Sequence, residues 1–179
     1  MSQAILLIRH AQSSGQASDA ELTSLGRQQA QDLIPALTDL KIDALFSSPY
    51  RRARSTIMPF ASANGLNVTI LPDLHERILA KQPLPDWQIH IARSFDDLDY
   101  ACTGGESLNQ TAARALKELA VVASSGAARP AVVSHGNLIA AVLNQIGPAF
   151  GYGQWRDMAN PELFSLILTN GTPTHWQQL

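Results

Sequence analysis

Two histidines and two arginines stand at, or within a few residues of, the ends of short apolar segments of this chain. They are Arg9, His10, Arg52 and His135. A neutral imidazole can attack phosphorus, and arginines can hold phosphoryl oxygens through charge-assisted hydrogen bonds. Phosphoryl transfer needs both, because negative charge spreads over the equatorial oxygens of the transferred group. The four residues therefore predict phosphoryl chemistry, with His10 as the nucleophile and the other three as a phosphate clamp.

The expected surroundings of His10 favour its reactive form. Neighbouring arginines lower the pKa of a histidine, so Arg9 and Arg52 would keep the His10 imidazole neutral. Gly136 follows His135 at the predicted start of a helix, where backbone amides attract anions. Gly136 is therefore a further candidate phosphate contact.

Short apolar segments alternate with amphipathic segments along the chain. Strands are predicted at residues 4–8, 43–47, 66–71, 131–134 and 163–168. Helices are predicted from about Thr23 onward and at residues 52–64, 107–124 and 137–146. This alternation is typical of an α/β protein with an open, mostly parallel sheet and helices on both faces. Ligands of such sheets bind at the carboxyl ends of strands, so the candidate residues are expected to meet in one crevice.

Individual residues indicate where several predicted helices begin, bend or end. Thr23 is a predicted N-cap, and Gly65 stands where a left-handed residue ends a helix. Pro35 and Pro59 fall inside predicted helices, where proline bends or shortens the helix. Residues 72–105 contain prolines and scattered aromatics, which predict an irregular functional loop or small cap at about 72–106.

Length and composition limit the class of protein. With 179 residues, 45% hydrophobic and 16% charged, residues 1–179 are predicted to form one soluble domain. The net charge of -2 gives no overall attraction to nucleic acid or to a membrane, so an anion needs local arginines. Cys102 is the only cysteine, which excludes a disulfide framework and fits a reducing compartment. The apolar run at residues 4–8 is too short for a signal peptide or a span, so a cytoplasmic location is expected.

Two other phosphate chemistries lack their required residues. A cysteine-dependent phosphatase needs an arginine six positions after its nucleophile, and Leu108 occupies that position after Cys102. A nucleotide-binding loop needs a glycine-rich run that ends in Gly-Lys-Ser or Gly-Lys-Thr, and the sequence contains none. A kinase is not expected.

Six motifs, ordered over about 130 residues, resemble those of the histidine phosphatase superfamily, in its phosphoglycerate mutase-like branch. They are Leu7-Ile8-Arg9-His10-Ala11-Gln12-Ser13, Leu22-Thr23-Ser24-Leu25-Gly26-Arg27-Gln28-Gln29-Ala30, Ser47-Ser48-Pro49-Tyr50-Arg51-Arg52-Ala53, Leu74-His75-Glu76-Arg77, Gly104-Gly105-Glu106-Ser107 and Val132-Val133-Ser134-His135-Gly136. Each motif is short, but their common order makes the resemblance specific. It implies a three-layer α/β/α sandwich with a mostly parallel central sheet, and it implies no metal or cofactor.

The resemblance also implies a role for each matching residue. His10 is the nucleophile, and Arg9, Arg52 and His135 form the phosphate pocket. Glu76 is the general acid, which protonates the leaving oxygen and then, as a base, activates the water that cleaves the phosphohistidine.

Some positions depart from the family pattern. The family segment continues after the Glu76 motif into glycine and Trp-Glu-Gly, which residues 78–81 do not match, so Glu106 remains an alternative proton donor. Gln16 occupies a position where many members have a phosphate-contacting asparagine. Ser13 matches a small hydroxyl residue that contacts phosphate.

The combined prediction is a metal-independent phosphatase that acts on a small phosphorylated substrate or a phosphoprotein. A phosphoglycerate or phosphosugar mutase is the nearest alternative, although that branch is usually longer. A non-catalytic module that binds a phosphorylated ligand is the alternative from another class. Nucleic acid and membranes are not expected partners, and the sequence predicts no oligomeric state.

Overall fold

The computed structural model describes residues 2–147 and 149–179 and contains a six-stranded sheet. The strands are β1 (Ser2–Arg9), β2 (Ala44–Ser47), β3 (Val68–Ile70), β4 (Pro130–Ser134), β5 (Glu162–Thr169) and β6 (Thr172–Gln178). Their order is β3-β2-β4-β1-β5-β6. The four strands from β3 to β1 pair in parallel, and β5 and β6 add antiparallel pairs at one side. The predicted mostly parallel sheet is confirmed.

Helices follow most of the strands, as predicted. They are α1 (Ser24–Asp39), α2 (Arg51–Asn64), α3 (Trp87–Asp96), α4 (Leu108–Ala123), α5 (Gly136–Ile146) and α6 (Tyr152–Asp157). The Thr23 side chain caps α1, and Gly65 ends α2 with a φ of 64°. Pro35 and Pro59 lie inside α1 and α2, which both continue beyond them. Within the described residues, no helix is both long and apolar enough to cross a membrane.

The apolar side chains of β1 divide between two cores, one on each face of the sheet. Leu6 and Ile8 belong to the core that includes residues of α1 and α2. Ile5 and Leu7 belong to the core that includes residues of α4 and α5. Because successive residues of a strand point to opposite faces, a fully buried strand needs both cores. The helices therefore cover both faces, which confirms the three-layer α/β/α sandwich.

The strand register brings the predicted site segments together. Arg9 of β1 pairs with Ser134 of β4, and Ser47 of β2 pairs with Val133 of β4. The backbone amide of His10 then donates to Ser134 (3.0 Å). The segments that follow β1, β2 and β4 consequently meet at the carboxyl edge of the sheet.

The prediction of an irregular segment at residues 72–105 is wrong for residues 87–96, which form α3. Ile91 and Ser94 are the buried residues of this helix. Pro83 and Pro85 stand just before it and interrupt the helical pattern in the sequence. The stabilising contacts of α3 include remote aromatic residues of α6, which local periodicity does not report.

The hairpin formed by β5 and β6 was not predicted beyond its first strand. Asn170 and Gly171 both have positive φ, 51° and 80°, between the two strands. An Asn-Gly pair is the preferred sequence of a two-residue hairpin turn. This dipeptide is the sequence signal from which β6 can be predicted.

Candidate active site

The ring of His10 makes two hydrogen bonds that fix its tautomer. Its Nδ1 lies 2.7 Å from the backbone oxygen of Ala11, and the Nε of Arg52 lies 3.0 Å from its Nε2. A carbonyl oxygen only accepts and a guanidinium N–H only donates. Nδ1 therefore carries the proton, and Nε2 keeps the lone pair that can attack phosphorus.

His10 is held in its neutral form. Its pKa is lowered to about 4, with burial as the largest cause; the charges of Arg52 and Arg9 act in the same direction, and the bond to Ala11 opposes them. The sequence predicts the effect of the arginines, but burial is the larger cause. Near pH 7 Nε2 is thus unprotonated, and its lone pair accepts the hydrogen bond from Arg52.

Arg52 is fully buried in the first turn of α2. Its Nη1 donates to the backbone oxygens of Gln16 (3.0 Å) and Ala17 (2.8 Å), so the loop after β1 orients the guanidinium. The ring of Tyr50 lies 5.0 Å from its Cζ. Nη2 is buried and has no hydrogen-bond partner in the described part of the chain, which leaves it free for an anionic oxygen.

His135 lies beside His10, with 5.2 Å between the ring centroids, and is fully buried. Its Nε2 is 2.7 Å from the hydroxyl oxygen of Ser48. Its Nδ1 is buried without a partner among residues 2–147 and 149–179. Burial lowers the pKa of His135 well below its ordinary value, and the charges of His10 and Arg52 act in the same direction. His135 is therefore neutral, with one ring nitrogen available.

Arg9 reaches the site from the last position of β1. Its Nη1 donates to the backbone oxygens of Met158 and of Ala159, the latter at 3.3 Å. Its Nε lies close to the start of α5, because a Cβ added to Gly136 would be 3.3 Å from it. A side chain at position 136 would press on the guanidinium, so glycine keeps this place open.

Three buried nitrogens around His10 lack a partner within the described residues: Arg9 Nε, Arg52 Nη2 and His135 Nδ1. A buried polar group without a partner costs about 1–3 kcal/mol. An anion with several acceptor oxygens would satisfy all three donors. The cluster is thus suited to a tetrahedral oxyanion such as phosphate.

Glu76 lies at the amino end of α5, close to this cluster. Its carboxylate accepts from the backbone amides of Leu138 (3.2 Å) and Asn137 (3.4 Å). The negative charge of Glu76 also opposes the lowering, by burial, of the pKa of Arg9 and Arg52. Two of the amides that follow His135, predicted from the sequence as an anion site, thus donate to this carboxylate.

A family model described as the histidine phosphatase superfamily (branch 1) matches residues 5–178. The chain belongs to the histidine phosphatase superfamily. The match includes all the residues that form the site.

Solved structures of phosphatases with this fold are similar over nearly the whole chain. A mycobacterial glucosyl-3-phosphoglycerate phosphatase is 26% identical with a TM-score of 0.78, covering 99% of this chain and 97% of that one. The structure of its complex with inorganic phosphate is 27% identical with a TM-score of 0.79, covering 99% of this chain and 95% of that one. Phosphoserine phosphatase from Entamoeba histolytica, in complex with 3-phosphoglyceric acid, is 19% identical with a TM-score of 0.74, covering 99% and 98%. At 19% identity the likeness shows the fold alone. No curated protein sequence matches the chain.

Glu106, the alternative proton donor predicted from the sequence, has its hydrogen-bond partners outside the clamp. Its carboxylate accepts from Arg114 Nε (2.7 Å) and Nη2 (2.9 Å) and from the amide of Ile78 (2.9 Å). Burial raises the pKa of Glu106, but the hydrogen bonds from Arg114 and Ile78 outweigh it and lower the pKa overall. Glu106 therefore fastens the segment after Glu76 to α4, and Glu76 is the carboxylate that adjoins the clamp.

The two remaining predicted phosphate contacts, Ser13 and Gln16, lie in the loop after β1. The hydroxyl of Ser13 donates to the backbone oxygen of Gly15 (3.0 Å). Gln16 is exposed, and its backbone oxygen accepts from Arg52. Gln16 thus contributes to the orientation of the clamp through its main chain, a role that its side chain does not indicate.

Two residues with direct contacts to the site had no predicted role. The side-chain Nδ2 of Asn160 donates to the backbone oxygen of His10 (2.6 Å). The hydroxyl of Ser48 contacts Nε2 of His135. The motif around Arg52 includes Ser48, so this motif could have indicated that Ser48 lies near the site. Nothing in the sequence relates Asn160 to a residue 150 positions away. The described residues contain no group of three His, Cys, Asp or Glu side chains that could hold a metal ion.

Proposed function

We propose that this protein is a phosphatase that hydrolyses phosphomonoesters, or phosphohistidine, through a covalent phosphohistidine on His10. The observation that carries the proposal is the arrangement around His10. Its unprotonated Nε2 receives a hydrogen bond from Arg52, and three buried nitrogens with no partner among the described residues surround it. This combination supplies a nucleophile and a prepared oxyanion pocket in one place.

In the first step, the N–H of Arg52 that donates to Nε2 of His10 turns to a phosphoryl oxygen and frees the Nε2 lone pair. Nε2 then attacks the phosphorus atom, and the bond from phosphorus to the leaving oxygen breaks. The electron pair of that bond goes to the leaving oxygen, which takes a proton from Glu76. Glu76 enters this step as the neutral carboxylic acid and leaves it as the carboxylate that accepts from the α5 amides. Arg9, Arg52 and His135 donate to the three equatorial oxygens, where negative charge is concentrated. The product is a phosphohistidine and a free alcohol.

In the second step, water attacks the phosphorus atom and the bond from phosphorus to Nε2 breaks. Glu76, now a carboxylate, takes a proton from this water. The same donors hold the oxygens a second time, and inorganic phosphate leaves. His10 returns to its starting tautomer, because Ala11 holds the Nδ1 proton throughout.

A panel of substrates tests the proposed function against its alternatives. The names of the similar structures suggest glucosyl-3-phosphoglycerate and phosphoserine as members of the panel. Other small phosphorylated metabolites and a phosphohistidine protein complete it, because the proposal includes them. We expect release of inorganic phosphate from at least one member. Isomerisation of a phosphorylated sugar or glycerate without net phosphate release would instead indicate a mutase. Tight binding of phosphate without turnover on any member would indicate the non-catalytic module.

Glu76→Gln should slow esters with poor leaving groups much more than activated aryl esters. Loss of a general acid costs about 10²–10⁴-fold when the leaving oxygen needs protonation. Glutamine keeps an oxygen that can accept from the α5 amides, but its amide protons are not acidic enough to be transferred to the leaving oxygen. We expect a loss of about 10²-fold or more for an alkyl phosphate and less than about 10-fold for 4-nitrophenyl phosphate.

Glu106→Gln is the matched comparison for this experiment. It removes the charge that binds Arg114, so it should slow both esters by the same factor or leave both unchanged. Kinetic constants for both substrates would be measured for each variant. Equal slowing of the two esters by Glu76→Gln would contradict the assignment of Glu76 as the acid.

A further inference from the structure

The two ring nitrogens of His135 have different surroundings. Nε2 lies 2.7 Å from the hydroxyl oxygen of Ser48, and both side chains are fully buried. Nδ1 is the nitrogen without a partner in the part of the chain that the structure describes. Since His135 is neutral, only one of these nitrogens carries a proton, and the choice decides what Nδ1 offers to a ligand.

The hydrogen bonds of Ser48 indicate where that proton lies. The backbone amide of Tyr50 donates to the Ser48 hydroxyl oxygen (3.2 Å). If Nε2 of His135 also donated to this oxygen, the hydroxyl hydrogen would be buried with no acceptor found among the described residues. If Nε2 carries the lone pair, the hydroxyl donates to it and every polar atom of Ser48 is satisfied. The second arrangement is the more stable one.

This arrangement places the proton of His135 on Nδ1, where the site needs a donor. An N–H at this position complements the oxygen of an anion, whereas a lone pair would repel it. The doubly protonated ring is not a substitute, since burial and the charge of Arg52 lower the pKa of His135. The tautomer of His135 thus decides between attraction and repulsion of phosphate.

We propose that Ser48 is a positioning residue that holds His135 in the Nδ1–H tautomer and so makes it a phosphate donor. The inference rests on the proposed function for the identity of the ligand. It goes further by assigning the orientation of His135 to a hydroxyl that never contacts the substrate. Tyr50 supports this arrangement, because its backbone amide fixes the direction in which the Ser48 hydroxyl points.

Nitrogen NMR of the ring tests the tautomer without any substrate. In long-range proton–nitrogen spectra of ¹⁵N-histidine-labelled protein, we expect the His135 Nδ1 to appear protonated and Nε2 unprotonated. Ser48→Ala should move the nitrogen chemical shifts of Nδ1 and Nε2 toward the values expected for a mixture of the two tautomers. Ser47→Ala is the matched control, because Ser47 is equally buried and donates to the backbone oxygen of Ser48 (2.9 Å) and not to a histidine.

Binding of orthovanadate and kcat/KM for an aryl phosphate test the consequence. Ser48→Ala should weaken both by about 10- to 100-fold, since one donor to a charged group loses its orientation. Ser47→Ala should change them by less than about 3-fold. Thermal unfolding of both variants would show whether the mutations destabilise the fold equally.

Isosteric variants of His135 separate positioning from structure. Asparagine places its amide nitrogen near the position of Nδ1, and glutamine places its amide nitrogen near that of Nε2. His135→Asn should therefore bind vanadate more tightly than His135→Gln. Adding Ser48→Ala to His135→Asn should cause no further loss of vanadate binding, because asparagine has no ring tautomer for Ser48 to control.

Two results would overturn the inference. One is an Nε2–H tautomer of His135 in the wild type, and the other is an equal loss from Ser48→Ala with histidine or asparagine at position 135. Failure of the proposed function gives a different result: the expected tautomer and its shift in Ser48→Ala, with no binding of phosphate or vanadate to the wild type. That result would support the control of the tautomer by Ser48 and contradict the phosphatase.

Discussion

His10→Ala is expected to lower kcat/KM for phosphate esters by about 10⁴-fold or more. The variant lacks the Nε2 lone pair, so the covalent route is closed and only the oxyanion pocket remains. Removal of the nucleophile from a preorganised site commonly leaves a small residual rate from the other groups. Phosphate release at saturating and limiting substrate would measure the loss.

The same variant should also lose the covalent intermediate. Rapid quenching of the wild type with a ³²P-labelled substrate, under the alkaline conditions that preserve phosphohistidine, should leave label on His10. His175→Ala is the matched control, because His175 is an exposed histidine of β6 and should retain both label and turnover. Turnover by His10→Ala at the wild-type rate would contradict the covalent mechanism.

Arg52→Gln is expected to lower kcat/KM by about 10³-fold or more. Loss of one oxyanion donor costs about 10²–10³-fold, and this arginine also donates to the nucleophile. Arg52→Lys restores the charge but lacks the planar guanidinium, whose separate N–H groups contact His10 and the loop after β1 at the same time. We therefore expect the lysine variant to recover only part of the activity, with the difference measured on the same aryl phosphate.

The two variants should differ more clearly in the titration of His10. Burial is the main cause of its low pKa of about 4, and Arg52 contributes as a nearby positive charge. Removing that charge stabilises the protonated imidazole, so Arg52→Gln should raise the pKa of His10 toward 6.5. Arg52→Lys should raise it less. An NMR titration of the His10 ring protons would measure both shifts.

Arg51→Gln provides the control for these measurements. Arg51 precedes Arg52 on α2, but its side chain is half exposed and forms an ion pair with Glu21 (2.7 Å). Exposed pairs contribute about 0–1 kcal/mol, so activity and the pKa of His10 should stay close to wild type. Equal effects from Arg51→Gln and Arg52→Gln would show that the clamp has been assigned to the wrong arginine.

Local sequence patterns contain most of the information about the fold, because strand and helix periods arise from burial of each segment. The run before Arg9 predicts β1, and Thr23 and Gly65 mark helix ends through the geometry of their own backbones. Asn170-Gly171 carries the same kind of signal for the final hairpin. The helix α3 is different, since residues distant in the chain complete its packing.

Sequence patterns specify the residue types of the site and predict the edge of the sheet where these residues lie. His10, Arg52 and His135 follow parallel strands, and parallel strands of one sheet end at the same edge. Glu76 and Glu106 are both carboxylates in polar segments, and only the tertiary structure shows that their partners differ: Glu76 accepts from the amide of Leu138, and Glu106 accepts from Arg114.

Hydrogen bonds across the chain also decided the protonation and orientation of the predicted phosphate-binding residues. The ring of His135 takes its direction from Ser48, 87 positions earlier, and Arg52 takes its own from the main chain of Gln16 and Ala17. Such contacts depend on where atoms meet in space, and sequence spacing does not report that.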